Sequence, residues 1–344
     1  MLLVNNIALN TRTPPQLMHA PWNGGVRFAD LVFPWFLLIV GVAIPYAWAS
    51  HRRKGWGRGR YLVKALGRAA ALVALGCLID SSIARTPLFD LDVLQLIGLA
   101  YFVAAALAML LPAGPRLAVA ALFLIAHWFV IRHVAVPGMP AGTFLPGRNV
   151  IAYVNAHSLA RYHLAGLISV VPASALVLIG TALGDALRRE LFAPAKRFGI
   201  MMASGAALTM LGWLWHWVLP YNKPVWTASY ILFTGGLGAL VLGTLYGLLD
   251  IKKTADIWKA WALPLVIFGS NAIVAYVAPI LVKLYILRVW TWPGTRVPLE
   301  QAFLHGAVHR WGPVEGGWAY TLGYIAFWWL VLVILYRRKI FLRV

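Results

Sequence analysis

Apolar and polar positions fall along this chain in long blocks, with neither the two-residue alternation of a half-buried strand nor the narrow stripe of a soluble helix. Continuous apolar stretches cover residues 28–50, 62–83, 92–112, 116–136, 164–187, 198–218, 226–249, 261–287 and 318–336. Each is long enough to cross a hydrocarbon core, which takes about 20 residues of helix. A transmembrane β-barrel is excluded, because its strands alternate and run to only about ten residues. The pattern predicts an all-α, polytopic transmembrane helix bundle of about nine full spans, forming one integral-membrane domain over residues 1–344. Residues 1–9 are apolar but too short to span, and read as the last turns of a truncated N-terminal helix. They show no charged leader or cleavage site of a signal peptide.

Composition agrees with the pattern: 61% of residues are hydrophobic and 12% charged, with a mean hydropathy of +0.77. The net charge of +20 does not point to nucleic acid, because the cations sit in short clusters between spans. Arg52, Arg53, Lys54, Arg58 and Arg60 follow the first span, and Arg188, Arg189, Lys196 and Arg197 follow the fifth. Lys252, Lys253 and Lys259 follow the seventh, and Arg337, Arg338, Lys339 and Arg343 close the chain. These are alternate connections, so they share one face, which the positive-inside rule makes cytoplasmic together with the C-terminus. The opposite face receives loop 10–27, the turn at Arg85, loop 137–163, the Pro220–Pro224 turn and loop 288–317. With no targeting signal in view, a bacterial inner (plasma) membrane is expected. Cys77 is the one cysteine, which excludes disulfides and thiolate metal sites.

Few places remain for chemistry, and the richest is the run from His19 to Phe36. A polar loop holding His19, Asn23 and Arg27 passes directly into a membrane helix that opens with Asp30. Ionisable groups at the mouth of a span are expensive and point to function. His19 can take a proton or carry an acyl group, Asp30 can orient its imidazole, and Asn5 and Asn6 end the preceding helical turns. The plainer alternative is a capping Asp30, an interfacial Trp22 and a solvated His19. A second polar turn, Pro220 to Tyr230, offers Asn222, Lys223 and Trp226 for a polar or anionic group, or else as a capped interfacial turn. Asn271, in Gly269-Ser270-Asn271-Ala272, needs a partner inside the bundle, either another helix or a ligand.

Asp80, Asp90 and Asp92 flank a short turn; paired carboxylates can serve acid–base work, and the plainer reading is caps and a counterweight to Arg85. His305 and His309 have helical spacing, but two ligands do not make a zinc site, and no metal is expected. Arg52, Arg53 and Lys54 either attract the phosphates of a nucleotide-bearing donor or serve as a topology signal alone. There is no phosphate-binding glycine motif.

Taken in order, these segments resemble the heparan-alpha-glucosaminide N-acetyltransferase family and its bacterial relatives. The resemblance is carried by Leu3-Val4-Asn5, His19-Ala20-Pro21-Trp22-Asn23-Gly24 and Asp30-Leu31-Val32-Phe33-Pro34-Trp35-Phe36. It continues through Asp92-Val93-Leu94-Gln95, Asn222-Lys223 with Trp226-Thr227 and Ser229-Tyr230, Gly269-Ser270-Asn271-Ala272, and the terminal Leu335-Tyr336-Arg337-Arg338-Lys339-Ile340-Phe341. It implies a transferase that takes acetyl from acetyl-CoA on the cytosolic side and passes it to an extracytoplasmic amino sugar. It also implies that His19 is the active-site histidine and Asn5 its nearby asparagine. The chain departs from the family at Gln95-Leu96, where Gln-Arg is usual, and at Tyr162-His163-Leu164-Ala165-Gly166, where an acidic stretch is usual. It also lacks the Ser-x-Asp-x-x-Arg-Gly opening.

The expected function is therefore a transmembrane acyltransferase acting on an amino sugar or glycan. His19 would be general base or acyl carrier, Asp30 its orienting partner, and Asn5 and Asn271 polarisers of the thioester carbonyl. Trp22, Asn23, Asn222, Lys223, Trp226 and Asn271 are the expected substrate contacts, and Arg52, Arg53 and Lys54 those of acetyl-CoA. The expected partners are acetyl-CoA, the glycan and membrane lipid, with no nucleic acid; a homodimer stays open. The main rival is a transporter or flippase for a glycan or lipid-linked sugar, which would be expected to show inverted repeats; none is visible.

Overall fold

The computed structural model describes residues 1–251 and 255–342. Lys252, Lys253 and Arg343, used above for orientation, lie outside the described residues. The chain opens with a five-residue helix, α1 (Leu2–Asn6), and a loop of short 3-10 turns. The helices α2 (Phe28–Arg53), α3 (Arg58–Ala84), α4 (Val93–Leu110) and α5 (Ala113–His133) then follow with short connections. A small hairpin pairs Phe144–Leu145 with Arg148–Asn149 and leads through the short α6 (Val150–Val154) to α7 (Val170–Arg188). After these come α8 (Pro194–His216), α9 (Ala228–Tyr246), α10 (Ala255–Ser270), α11 (Ala272–Val282), α12 (Leu299–Trp311) and α13 (Pro313–Arg337). Among the described residues, eight helices are long and apolar enough to cross a membrane, and α10 with α11 makes a bent pair, either a broken ninth span or a re-entrant loop. The protein is an all-α polytopic bundle, as its hydropathy predicts.

Two elements differ from the expectation. The stretch 261–287 reads as one span, yet it bends by 64° between Ser270 and Ala272. Asn271 leaves the helical conformation there (φ −131°, ψ 48°). Its amide donates to the Ile340 carbonyl at 3.0 Å and its Oδ1 accepts from the Leu342 N–H at 2.8 Å. The connection 288–317 also contains α12, tied back by Glu300 to Lys283 (3.0 Å) and Arg288 (2.7 Å).

Helix α7 is the centre of the core, with every residue from Ala173 to Leu178 buried. It lies across α2 at a close crossing of glycines: a side chain on Gly41 would strike the Val177 carbonyl, and one on Gly180 the Leu38 carbonyl. Small residues at such crossings let backbones approach where no hydrophobic drive pairs the helices. The same device joins α8 to α9, where Gly212 abuts Phe233 and Gly236 abuts Thr209. Buried Arg116 pairs with Asp185 and ties α5 to α7. This rigid frame fixes the start of α2 against the start of α9, and the cavity described next lies at that junction.

Candidate active site

Asp30 sits in the first turn of α2, and the local sequence explains its place. Pro34, four residues on, has no N–H, so the Asp30 carbonyl has no helical partner. The Tyr230 hydroxyl donates to that carbonyl instead, at 2.6 Å, from a residue 1% exposed. The α2 entrance is thereby pinned to α9.

The Asp30 carboxylate collects four donors. Its Oδ2 accepts the backbone N–H groups of Ala20 (3.0 Å) and Arg27 (3.2 Å), and its Oδ1 lies 2.8 Å from His19 Nδ1. Lys223 Nζ stands 3.5 Å from the same Oδ1 and 3.1 Å from His19 Nδ1. Asp30 is 2% exposed, whereas the His19 side chain is 57% exposed, so a buried carboxylate supports an accessible imidazole. An ionised carboxylate only accepts, so the 2.8 Å contact favours a proton on Nδ1, while Lys223 Nζ also stands 3.5 Å from Nε2. This is the arrangement of an oriented general base. Burial holds the Lys223 ammonium below the ordinary lysine value, an effect that the Asp30 charge opposes.

These groups line a cavity of about 410 Å³, together with Asn5, Phe33, Asp92, Trp226 and Tyr276. Trp226 is held with φ at 56°, an uncommon conformation for a bulky residue. Its ring meets Phe33 edge-on at 4.9 Å and walls the cavity. Five of the expected site residues (His19, Asp30, Asn5, Lys223 and Trp226) therefore meet in one place.

The others do not. Asn222 is 2% exposed and is consumed in holding its own turn: its Oδ1 accepts from the Val225 N–H and its Nδ2 donates to Asn23 Oδ1 at 3.1 Å. Asn23 and Asn222 thus clamp their two turns together rather than line the cavity. Trp22 packs on Phe144 (5.2 Å) and donates to its carbonyl. Asn271, 1% exposed, has both amide atoms bound to the C-terminal segment and does not line the cavity. The expectation that it polarises a thioester is corrected accordingly. Arg52 and Arg53 line a different pocket with Tyr46, Trp48 and Arg188, and Lys54 only ends α2.

Asp92 and Tyr276 join the cavity wall without being expected substrate contacts, and Tyr230 holds the Asp30 backbone. Asp92 reads as a cap, yet it makes no side-chain capping bond to α4 and lines the cavity. Asp80 instead accepts from Gln95 at 2.6 Å. Among the described residues, no group of three His, Cys, Asp or Glu side chains is placed to hold a metal.

No protein-family profile matches the chain. It is 24% identical to heparan-alpha-glucosaminide N-acetyltransferase of Homo sapiens, over 95% of this chain and 55% of that protein. It is 23% identical to the Mus musculus protein of the same name, over 95% of this chain and 56% of the relative. The chain thus spans about half the length of the curated relatives it matches. A likeness running through almost the whole chain relates this integral membrane protein, at the level of the family, to the heparan-alpha-glucosaminide N-acetyltransferases.

Proposed function

We propose that this protein transfers an acetyl group from acetyl-CoA, on the side of the basic connections, to an amino sugar or glycan at the opposite end of the bundle. The observation that carries the reading is the His19–Asp30 pair, 2.8 Å apart at the cavity wall, whose geometry supports a proton on Nδ1 and Nε2 as the base. The names of the relatives supply the group transferred and the class of acceptor.

In the proposed step, the acceptor amine attacks the thioester carbonyl while Nε2 takes its proton, forming a C–N bond and a tetrahedral oxyanion. The C–S bond then breaks and the thiolate leaves with the proton from Nε2, giving an amide and free CoA. Asp30 stabilises the transient imidazolium without taking its proton. Asn5 and Lys223 line the same cavity and supply donors for the oxyanion. A two-step route, in which Nε2 itself takes the acetyl group before the acceptor arrives, uses the same atoms.

The test is incubation of the purified full chain with labelled acetyl-CoA and a panel of amino sugars. Acceptor-dependent release of CoA, lost in His19→Ala, is expected; no transfer to any amino sugar contradicts the reading. Label retained on the protein without acceptor selects the two-step route.

A further inference from the structure

Two aspartates line the His19 cavity beside that histidine's own partner role, and the fold treats them differently. Asp30 is buried and filled with donors, as described above. Asp92 is exposed. It stands at the N-cap of α4, where an aspartate usually accepts from the backbone N–H groups of the first turn. Its carbonyl does open the helix, accepting from the Leu96 N–H at 2.9 Å, but its side chain makes no capping bond. Among the described residues, it forms no ion pair either. The fold therefore makes no use of this carboxylate.

The Asp92 backbone is nonetheless fixed from both sides. On one side, buried Gln95 donates to the Asp90 carbonyl at 3.0 Å and to the Asp80 carboxylate at 2.6 Å. On the other, the Leu91 N–H donates to the Ala165 carbonyl at 3.2 Å. Gly166, with φ at 95°, presses on Leu91 so closely that a side chain there would strike the Leu91 carbonyl, and only glycine adopts that conformation readily. A turn braced in this way holds its carboxylate at the cavity before any ligand arrives, which lowers the cost of binding.

Charge indicates what the carboxylate meets. Among the side chains lining the cavity, Lys223 stands 3.5 Å from Asp30 and offsets it, which leaves the charge of Asp92 in excess. That charge is felt at Lys223, where it opposes the effect of burial. Much of the remaining wall is apolar, formed by Phe33, Val93 and Trp226 among others. Such a cavity favours a hydrogen-bonding cation over a neutral hydroxyl. An amine of ordinary basicity titrates at about 8, so it reaches the cavity at neutral pH largely as its ammonium.

We propose that Asp92 is the recognition residue for the ammonium group of the acceptor, selecting an amine over a hydroxyl at the same carbon. The use made of the bound amine rests on the transferase reading above; its binding does not. The ammonium sheds one proton to water before attack, and the second passes to Nε2 as already described.

The experiment measures equilibrium binding of glucosamine and of glucose to the purified full chain, alongside initial rates of acetyl-CoA turnover with glucosamine. The wild type is expected to bind glucosamine at least about tenfold more tightly than glucose. Asp92→Asn should erase that preference and raise the glucosamine KM by a similar factor, while the KM for acetyl-CoA stays the same. Asp92→Glu should keep part of the preference, and Asp90→Asn, whose side chain does not line the cavity, all of it. Asp92→Ser gives a second reading if Asp92→Asn fails to fold. Equal binding of the two sugars by the wild type overturns the assignment, as does a preference that survives loss of the Asp92 carboxylate or falls equally in Asp90→Asn. Acetyl transfer that persists in those cases leaves the transferase reading standing. Asp92-dependent binding of glucosamine without acetyl transfer leaves the amine site standing and removes the transferase reading.

Discussion

The Tyr230 hydroxyl donates to the Asp30 backbone carbonyl at 2.6 Å, across 200 residues of sequence. Pro34 creates the vacancy that this bond fills. Tyr230→Phe should therefore leave a buried carbonyl without a partner and lower stability by about 1 kcal/mol. It should also lower kcat more than it raises KM, because the Asp30 carboxylate loses its anchored backbone. Thermal unfolding and steady-state kinetics on the same preparation check both effects.

Asp30→Asn preserves shape but removes the acceptor that fixes the His19 tautomer. On the order of a thousandfold loss of kcat is expected, by the logic of an unsupported catalytic histidine, with little change in KM. Rates of CoA release over a range of acceptor concentrations separate the two constants.

Lys223 gives the site a pH signature. Burial lowers its folded pKa from the ordinary 10.5, against the opposing pull of Asp30. Between that lowered value and 10.5, the unfolded chain binds more protons than the folded one, so Lys223 adds stability as pH rises through the window. Below the window both states are protonated and the full cost of the buried ammonium is present. Denaturation midpoints followed from neutral to alkaline pH should therefore show a rising component in the wild type that Lys223→Met lacks.

The Asn23–Asn222 contact is a clamp between turns, and it should behave as one. A double-mutant cycle with alanine at both positions is expected to give a coupling of about 0.5–1 kcal/mol in unfolding. Asn222→Ala alone should cost more than Asn23→Ala, because it also strands the Val225 N–H that its side chain caps. Additive effects on unfolding, with coupling seen only in acceptor KM, would make the pair a substrate contact instead.

How far the sequence reveals this molecule depends on the range of the interaction. Spans such as α2 and α13 are legible because hydropathy is a local property of twenty consecutive residues. The break at Asn271 is hidden, since its partners are the backbone of Ile340 and Leu342, which no local pattern indicates. Helix α12 is hidden for a different reason: it is too short and polar to resemble a span, and its anchor is the Glu300 ion pairing. At the site, His19 and Asp30 stand eleven residues apart and can be paired from the motif alone. The polarity of Lys223 is plain from its turn, but its approach to His19 depends on how α2 packs against α9. Asp92 has the sequence position of an ordinary cap, yet its side chain makes no capping bond and lines the cavity.

The most direct test of the central claim is acetyl transfer from labelled acetyl-CoA to an amino sugar, comparing wild type with His19→Ala and His19→Gln. Acceptor-dependent CoA release by the wild type is expected, with a loss of at least about a hundredfold in both variants and folding unchanged. Transfer at the wild-type rate in folded His19→Ala would contradict that claim.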